Sequence, residues 1–264
     1  MTAKRVAVVT GAARGIGAAT VHELASQGWS VLAVDIAAND DTLPYSFASP
    51  AELDQVVAQA SEQGNVHACV ADVRDVDALE SAVAEAVTRW GGVDAAIACA
   101  GAIGGGVEQW KLPLSQEKTI IDINLGGVLA LARAAIPAML QQPEPRSGRF
   151  LAVSSAAATS MMPMLAAYSA AKAGIHGAIR SLAAELGSSG ITANAVSPGS
   201  TETPILDESA RLYDLPDKFD FSQHHLIQRL IRPAEVAAVL AFLAGESSGA
   251  ITGAVIPVDG GLST

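Results

Sequence analysis

Tyr168 and Lys172 are the two residues of this chain whose spacing most directly suggests chemistry. They stand four positions apart in the segment Tyr-Ser-Ala-Ala-Lys, and one helical turn would place the phenol and the ammonium on the same face. Because a nearby cation favours the phenolate, we expect Lys172 to lower the pKa of Tyr168 and make it an acid/base near neutral pH. The spacing alone is weakly specific, so its weight depends on the rest of the chain.

Ser155 lies thirteen residues before Tyr168, directly after the apolar run 150–154. If that run is a buried strand, the Ser155 hydroxyl ends it and faces the same pocket. A hydroxyl in that position can hold a carbonyl or alkoxide oxygen. The three residues together predict proton transfer at the oxygen of an alcohol or ketone.

The composition restricts the class of protein. The chain has 264 residues with a net charge of −11, which argues against a nucleic-acid partner because phosphate binding needs basic patches. We expect no signal peptide at the start of the chain, because Lys4-Arg5 is followed by only a short apolar run before Thr10-Gly11, and no apolar run reaches membrane-spanning length without a glycine or a charge. We therefore expect a cytoplasmic protein with no membrane partner. Cys69 and Cys99 lie in apolar runs and are interpreted as core residues, with Cys99 also a candidate for a pocket wall.

Short apolar runs alternate along the chain with longer, alanine-rich amphipathic segments. Strands are predicted at 6–9, 30–34, 67–71, 95–100, 150–154, 192–196 and 255–258, and helices at 18–27, 51–61, 77–90, 115–140, 166–186 and 233–244. Strands separated by helices imply right-handed crossovers and a parallel sheet. The expected fold is a single α/β, doubly wound (Rossmann) domain over 1–264, with about seven parallel strands and helices on both faces.

Two long segments interrupt this alternation. Residues 36–65 are predicted to be an insertion near a nucleotide's adenosine, and residues 199–231 a substrate loop or lid, although either could be a plain surface insertion. The second segment contains His224 and His225, which lack a Cys or acidic partner at metal spacing. We therefore expect these histidines at the surface or at an interface, and predict no metal site.

A glycine-rich loop follows the first predicted strand and opens a helix. In it, Gly11 would permit a tight turn, Gly15 would let backbone N–H groups approach a pyrophosphate at the helix N-terminus, and Gly17 would allow close packing of helix on strand. The loop predicts a dinucleotide site, with Arg14 and Ile16 among its contacts.

Two aspartates end the second and third predicted strands. Asp35 can accept hydrogen bonds from the adenosine ribose hydroxyls and would repel a 2′-phosphate, which favours NAD over NADP. Arg14 weakly favours NADP instead, because a basic side chain in the glycine loop can pair with the 2′-phosphate. Asp72, with Val73 beside it, is placed either to accept from the adenine amino group or to cap the next helix.

The combined pattern resembles the short-chain dehydrogenase/reductase family over essentially the whole chain. The pieces that carry the resemblance are Thr10–Gly17, Asp72-Val73, Asn124, Ser155, Tyr168/Lys172, residues 194–199 and residues 258–261. The resemblance implies that Tyr168 is the general acid/base and that Lys172 lowers its pKa and holds the nicotinamide ribose. It further implies that Ser155 positions the substrate oxygen, and that Asn124 bends a helix and orders a proton-relay water.

The same resemblance implies further cofactor contacts. These fall at Ala100, Gly101, Pro198, Gly199, Thr201 and Thr203. Members of the family usually read Asn-Asn-Ala-Gly after the fourth strand, whereas this chain reads Ala-Cys-Ala-Gly at 98–101, so the Asn side-chain contacts are missing. Thr201 stands where the family usually has Ile or Val.

The insertion at 36–65 and the stretches at 198–204, 208–213 and 143–146 resemble the subgroup linked to mycofactocin, a peptide-derived redox cofactor. That resemblance implies NAD held tightly and reoxidised in place. An ordinary NAD(P)-exchanging ketoreductase is the alternative, a non-catalytic NAD sensor is a more remote one, and a sugar epimerase would need a larger C-terminal region. A homotetramer is expected from the family. Met161, Met162 and Met164 either line the substrate pocket, which would suggest an apolar alcohol or ketone, or belong to the core.

Overall fold

Seven short apolar segments form one parallel sheet in the computed structural model, which describes residues 5–263. In chain order the strands are β1 Val6–Thr10, β2 Ser30–Asp35, β3 Asn65–Val70, β4 Ala95–Ala98, β5 Arg149–Val153, β6 Thr192–Pro198 and β7 Val255–Val258. Their spatial order is β3-β2-β1-β4-β5-β6-β7. The direction of winding reverses between β1 and β4, and such a reversal opens a crevice at the carboxyl ends of the strands.

The helices cover both faces of this sheet. They are α1 Gly15–Ser26, α2 Pro50–Ala60, α3 Val76–Trp90, α4 Leu114–Ile121, α5 Gly127–Leu140, α6 Ala166–Leu186, α7 Pro204–Leu212 and α8 Pro233–Ala244. One apolar core packs α3, α5 and α6 against the sheet, and the other packs α1, α2 and α8 against the opposite face. Because both faces are covered, neighbouring strand residues such as Val8 and Val9 are both fully buried. The predicted doubly wound domain is confirmed.

Two predicted regions need correction. The helix predicted at 115–140 is interrupted by a π-helical turn, Asp122–Gly126, which separates α4 from α5. The segment 199–231 is not irregular, because it contains α7 and a 3-10 turn, Lys218–His224. Thr203 followed by Pro204 is typical of a helix start. This helix is missed from the sequence because the many prolines and aspartates of the segment suggest a loop.

The helical stretch Leu114–Leu140 satisfies a length and hydropathy criterion for a membrane span, with a mean hydropathy of 1.6. Just over half of its most apolar window is buried inside the protein. Its second part, α5, packs against α3 and the sheet. An apolar helix that covers a fully buried parallel sheet has the same composition as a spanning helix, which accounts for the match.

Candidate active site

A cleft of about 730 Å³ opens at the carboxyl ends of the strands, at the reversal between β1 and β4. Nearly all of the residues predicted to bind cofactor or catalyse the reaction line it. They are Gly11, Arg14, Gly15, Ile16, Gly17, Asp35, Asp72, Val73, Ala100, Gly101, Ser155, Tyr168, Lys172, Pro198, Gly199, Thr201 and Thr203. Asn124 lies behind this wall and is fully buried.

Tyr168, Lys172 and Ser155 meet at the centre of the cleft. Tyr168 and Lys172 lie on one face of α6, with the Lys172 Nζ atom 5.7 Å from the centroid of the Tyr168 ring. Ser155 follows β5 and lines the same cleft, and its side chain interacts with the Tyr168 phenol so as to lower the pKa of that phenol. The Lys172 ammonium donates to the Val153 carbonyl at 2.9 Å, which fixes it against the end of the same strand. The helical spacing and the strand end therefore converge as predicted.

The electrostatics of the pair differ from the expectation. Burial raises the pKa of the Tyr168 phenol above its ordinary value, and the nearby Ser155 side chain opposes this only in part. Burial also lowers the pKa of Lys172 to about 8, against a partial opposing effect of Cys99. Desolvation disfavours the charged form of each group, and in the protein alone it is the largest effect on both pKa values. The expectation that Lys172 lowers the pKa of Tyr168 below its ordinary value is therefore wrong for the protein without its cofactor, in which that pKa is raised.

Asn124 occupies the π-helical turn between α4 and α5. Its Nδ2 donates to the carbonyls of Ile120 and Ala102, each at 2.7 Å, and its Oδ1 accepts from the Ala102 N–H at 3.3 Å. The side chain thus satisfies backbone groups at the widened turn and joins it to the segment after β4. The helix distortion implied by the family resemblance is present here.

The glycine loop is packed too tightly for larger residues at two positions. Gly11 has φ +67°, and a Cβ there would lie 2.6 Å from the Ala100 Cα. A Cβ on Gly17 would lie 2.0 Å from the Gly11 carbonyl oxygen. The loop leads into α1, whose N-cap residue Arg14 makes no side-chain capping bond and whose first turn carries no acidic residue. The N–H groups of that turn are therefore directed toward the cleft without a side-chain cap, a suitable arrangement for an anion.

Asp35 is held rigidly at the end of β2. One carboxylate oxygen accepts from the Ala13 N–H and the other from the Ala37 N–H, both at 3.0 Å. The side chain is 7% exposed and lines the cleft. These bonds leave lone pairs on both oxygens and orient the carboxylate beside the glycine loop.

Asp72 forms part of an ion-pair network that the sequence did not suggest. Arg74 donates to Asp72 through Nε and Nη2, at 2.9 Å and 2.6 Å from Oδ2, and to Asp40 through Nη1 at 2.6 Å. The residue that caps α3 is Asp75, whose side chain accepts from the Ala78 N–H, so Asp72 is not the cap of this helix. Arg74 lines the cleft and joins the segment 36–49, through Asp40, to Asp72 at the end of β3. A basic residue two positions after Asp72 was the available signal for this contact.

The insertion after β2 is anchored at several points. The Tyr45 hydroxyl accepts from the Ile103 N–H at 2.9 Å, and the Thr42 hydroxyl donates to Thr119 on α4 at 2.8 Å. Leu43 is buried in the core, and Phe47 lines the cleft. The insertion therefore forms part of the cleft wall and is not a detached surface loop.

Loops from distant parts of the chain close the end of the cleft that contains Tyr168 and the loop after β6. A Cβ on Gly15 would lie 3.2 Å from the Thr203 methyl carbon, so the loop after β6 packs directly over the glycine loop. The Tyr213 hydroxyl donates to the Pro163 carbonyl at 2.8 Å, which joins the segment after α7 to the segment before α6. The wall here is mainly apolar and includes Ile103, Met161, Met162, Leu165, Ile205, Leu206, Tyr213, Leu215, Phe221 and Leu262.

Three expectations about individual residues are revised. Met164 is expected from the sequence to line the pocket, but its carbonyl accepts from the Gly106 N–H and its side chain is not part of the described cleft wall. His224 is exposed at the cleft, whereas His225 is only 2% exposed and is not a surface residue. Cys99 lines the cleft as predicted, and burial raises the pKa of its thiol to about 12, which keeps it protonated. Cys69 is only partly buried at the edge strand β3.

Comparison with known proteins agrees with this geometry. Residues 11–263 match the family model described as enoyl-(acyl carrier protein) reductase. The chain is 34% identical to an uncharacterized NAD-dependent oxidoreductase of Mycobacterium tuberculosis, covering 97% of this chain and 95% of that protein. It is also 34% identical to a (−)-trans-carveol dehydrogenase of Rhodococcus erythropolis, covering 97% and 96%.

Among solved structures, carveol dehydrogenase from Mycobacterium avium in complex with NAD superposes with a TM-score of 0.93 at 32% identity, covering 99% of this chain and 98% of that one. The whole length of the chain, from the glycine loop to the final strand, is shared with these enzymes. This chain belongs to the short-chain dehydrogenase/reductase family.

Proposed function

We propose that this protein interconverts an apolar alcohol and its ketone or aldehyde by hydride transfer to NAD, with Tyr168 as the acid/base. That it is an NAD-dependent oxidoreductase acting on CH–OH groups rests on its relatives and neighbours. The observation that carries the proposed mechanism is the convergence of Ser155, Tyr168 and Lys172 in one cleft that also contains the glycine loop.

The residues of the cleft fit NAD as a group of donors and acceptors. The uncapped first turn of α1 and the cation of Arg14 suit the pyrophosphate, and the Asp35 carboxylate suits the ribose hydroxyls. Asp72 and Val73 are assigned to the adenine, and the loop from Pro198 to Thr203 to the nicotinamide with Ala100 and Gly101. Bound NAD would supply the hydride acceptor, and its positively charged ring would favour the phenolate of Tyr168 over the neutral phenol.

In the oxidation direction, the Tyr168 oxygen takes the proton of the substrate hydroxyl as the carbinol hydride leaves. Ser155 donates a hydrogen bond to the substrate oxygen and holds it beside Tyr168. Lys172, buried and fixed by the Val153 carbonyl, supplies the adjacent ammonium. Asn124 is assigned to the proton relay behind Lys172, since a Cβ at Gly101 would lie 3.0 Å from Asn124 Oδ1 and 3.5 Å from Lys172 Nζ.

The substrate class follows from the apolar wall at the far end of the cleft. Leucine, isoleucine, methionine and aromatic side chains form most of it. Burial of apolar surface would then provide most of the affinity, at about 25 cal/mol per Å². The names of two relatives, which are carveol dehydrogenases, support an apolar alcohol of similar size.

Replacement of Tyr168 by phenylalanine tests the mechanism. Loss of the hydroxyl removes the proton acceptor, so turnover should fall at least about 1,000-fold while NADH binding, followed by fluorescence, stays within a few-fold of wild type. Thr88→Val, which removes an exposed hydroxyl on α3 outside the cleft, is the control and should keep the wild-type activity. Turnover near the wild-type rate in the Tyr168→Phe protein would refute the assignment.

We also propose that NAD is retained between turnovers and reoxidised in place by mycofactocin. The proposal rests on the resemblance of the insertion and is supported by its anchoring, since Arg74 joins Asp40 of the insertion to Asp72 at the adenosine end. A ligand held by such a wall dissociates slowly.

The alternative is an ordinary ketoreductase that exchanges its cofactor. Denaturing the purified protein and assaying the supernatant separates the two. Stoichiometric NAD in the supernatant, with turnover only on addition of an artificial electron acceptor, supports retention. Nucleotide-free protein that turns over with added NAD alone would contradict it.

A cytoplasmic homotetramer is the proposed assembly. Several large apolar side chains are exposed outside the cleft: Trp110, Leu114, Leu129, Leu140 and Phe242. Exposed apolar side chains on α4, α5 and α8 are typical of faces that pack against other subunits. Light scattering coupled to size-exclusion chromatography would measure the mass directly.

A further inference from the structure

His225 is a buried imidazole that joins two backbone segments. Its Nε2 lies 3.1 Å from the Ser200 backbone nitrogen, and its Nδ1 lies 2.7 Å from the Arg229 carbonyl oxygen. An amide N–H can only donate, so Nε2 must accept, and the ring proton must reside on Nδ1 for donation to the carbonyl. The imidazole is therefore neutral with its proton on Nδ1 in this arrangement, and both ring nitrogens are satisfied by backbone.

The Ser200 segment is the loop that lines the nicotinamide end of the cleft. Gly199 is enclosed between His225 and the final turn of the chain, because a Cβ on Gly199 would lie 3.0 Å from His225 Nε2 and 2.8 Å from the Asp259 carbonyl oxygen. The Ser200 carbonyl accepts from the Ile231 N–H at 3.0 Å, and Glu202 donates its N–H to the Ile231 carbonyl at 2.9 Å. Residues 225–231 thus run beside the loop and hold it at several points.

These residues are in turn fixed to a rigid element. The Arg229 guanidinium makes two 2.7 Å contacts with Glu235 in the first turn of α8. On the other side, Phe221 and His224 of the 3-10 turn Lys218–His224 line the cleft. His225 therefore lies where the cofactor loop, the substrate wall and α8 meet.

We propose that His225 is a positioning residue that sets how long the cofactor stays bound, by holding the Ser200 N–H and with it the loop from Pro198 to Thr203. This rests on the proposed placement of the nicotinamide at that loop. Without an acceptor for the Ser200 N–H, the loop loses one of the bonds that hold it beside the glycine loop, and the closed wall opens more often. The expected effect is on NADH dissociation, ahead of any effect on the chemical step.

Three substitutions distinguish the hydrogen bond made by Nε2 from the one made by Nδ1. In His225→Gln, the side-chain oxygen can occupy the place of Nε2 and accept from Ser200. In His225→Asn, the amide can donate to the Arg229 carbonyl in place of Nδ1 but does not reach Ser200. His225→Phe keeps the volume and loses both bonds. His22→Asn, on α1, is the matched control.

The measurement is the rate of NADH release, followed by its fluorescence after mixing with excess NAD, with the melting temperature recorded for each variant. We expect about tenfold faster release in the Asn and Phe variants and a rate within about twofold of wild type in the Gln variant and the control. Equal release rates in the Asn, Phe and wild-type proteins would overturn the proposal. So would a Gln variant as fast as Phe, because that would show a purely structural role.

The Gln and Asn variants differ only in which bond they keep, so their comparison decides the matter even if the Phe variant does not fold. The readout also stands apart from catalysis. If Tyr168→Phe retained turnover, the proposed mechanism would be wrong, but the NADH release rates would still test the role of His225. If the His225 variants release NADH at the wild-type rate while Tyr168→Phe is inactive, only the present inference fails.

Discussion

Replacing Asn124 by alanine should destabilise the protein through the loss of its three buried hydrogen bonds. Two of these are short, from Nδ2 to the carbonyls of Ile120 and Ala102, and the third is a longer bond from the Ala102 N–H. The side chain is fully buried, so water cannot replace the lost partners without opening the π-helical turn. With about 1 kcal/mol for each bond, the expected loss is about 3 kcal/mol.

For a domain of this size, a loss of about 3 kcal/mol corresponds to a decrease in melting temperature of about 6–12 °C. Thermal unfolding followed by circular dichroism or calorimetry measures it on nucleotide-free protein. Asn39, which is exposed and accepts one bond from the Phe47 N–H, supplies a matched control, and Asn39→Ala should shift the melting temperature by less than about 3 °C. If Asn124→Ala melted within about 2 °C of wild type, the turn would not depend on this side chain and the reasoning would be wrong.

Three further outcomes follow from the cleft. Asp35→Ala should weaken NAD binding and lower the preference for NAD over NADP about tenfold or more, measured as a ratio of dissociation constants; an unchanged ratio would remove Asp35 from its role. The pKa of Lys172 is lowered by burial to about 8, below that of the unfolded chain, so the unfolded state binds more protons and stability rises with pH above about 8. Between about pH 7 and 9, nucleotide-free wild type should therefore gain about 1.4 kcal/mol relative to Lys172→Met, and equal pH dependence would show that Lys172 does not titrate there. Arg74→Met should speed NADH release about tenfold by freeing the insertion from Asp72, while Arg89→Met, which breaks an exposed ion pair, should not; equal rates would rule out the Arg74 network as a restraint on the cofactor.

Much of the site could be predicted because its signals are local. The four-residue spacing of Tyr168 and Lys172 fixes their common face wherever the helix forms, and α6 forms over the predicted residues. Gly11 and Gly17 are required by contacts that the glycine loop makes with its own helix and with the neighbouring strand end. Asp35 ends a strand at the edge where all parallel strands end, so its arrival in the cleft follows from fold class alone.

Other features depend on contacts between distant segments and could not be read from local patterns. Arg74 donates a hydrogen bond to Asp40, thirty-four residues away in the sequence, and His225 accepts one from the Ser200 N–H across a folded loop. Adjacent histidines carry no local signal of which one is buried, and the expectation that His225 lies at the surface is therefore wrong.

The chain sequence by itself determined the parallel sheet, the glycine loop and the identity of the chemical groups, because these follow from periodicity and residue type. Only the tertiary structure decided the protonation equilibria of Tyr168 and Lys172, since both side chains are almost completely buried. Desolvation depends on everything that packs around a group, and four-residue spacing contains no information about it. Spacing brings the phenol and the ammonium together, and burial sets the charge that each of them carries.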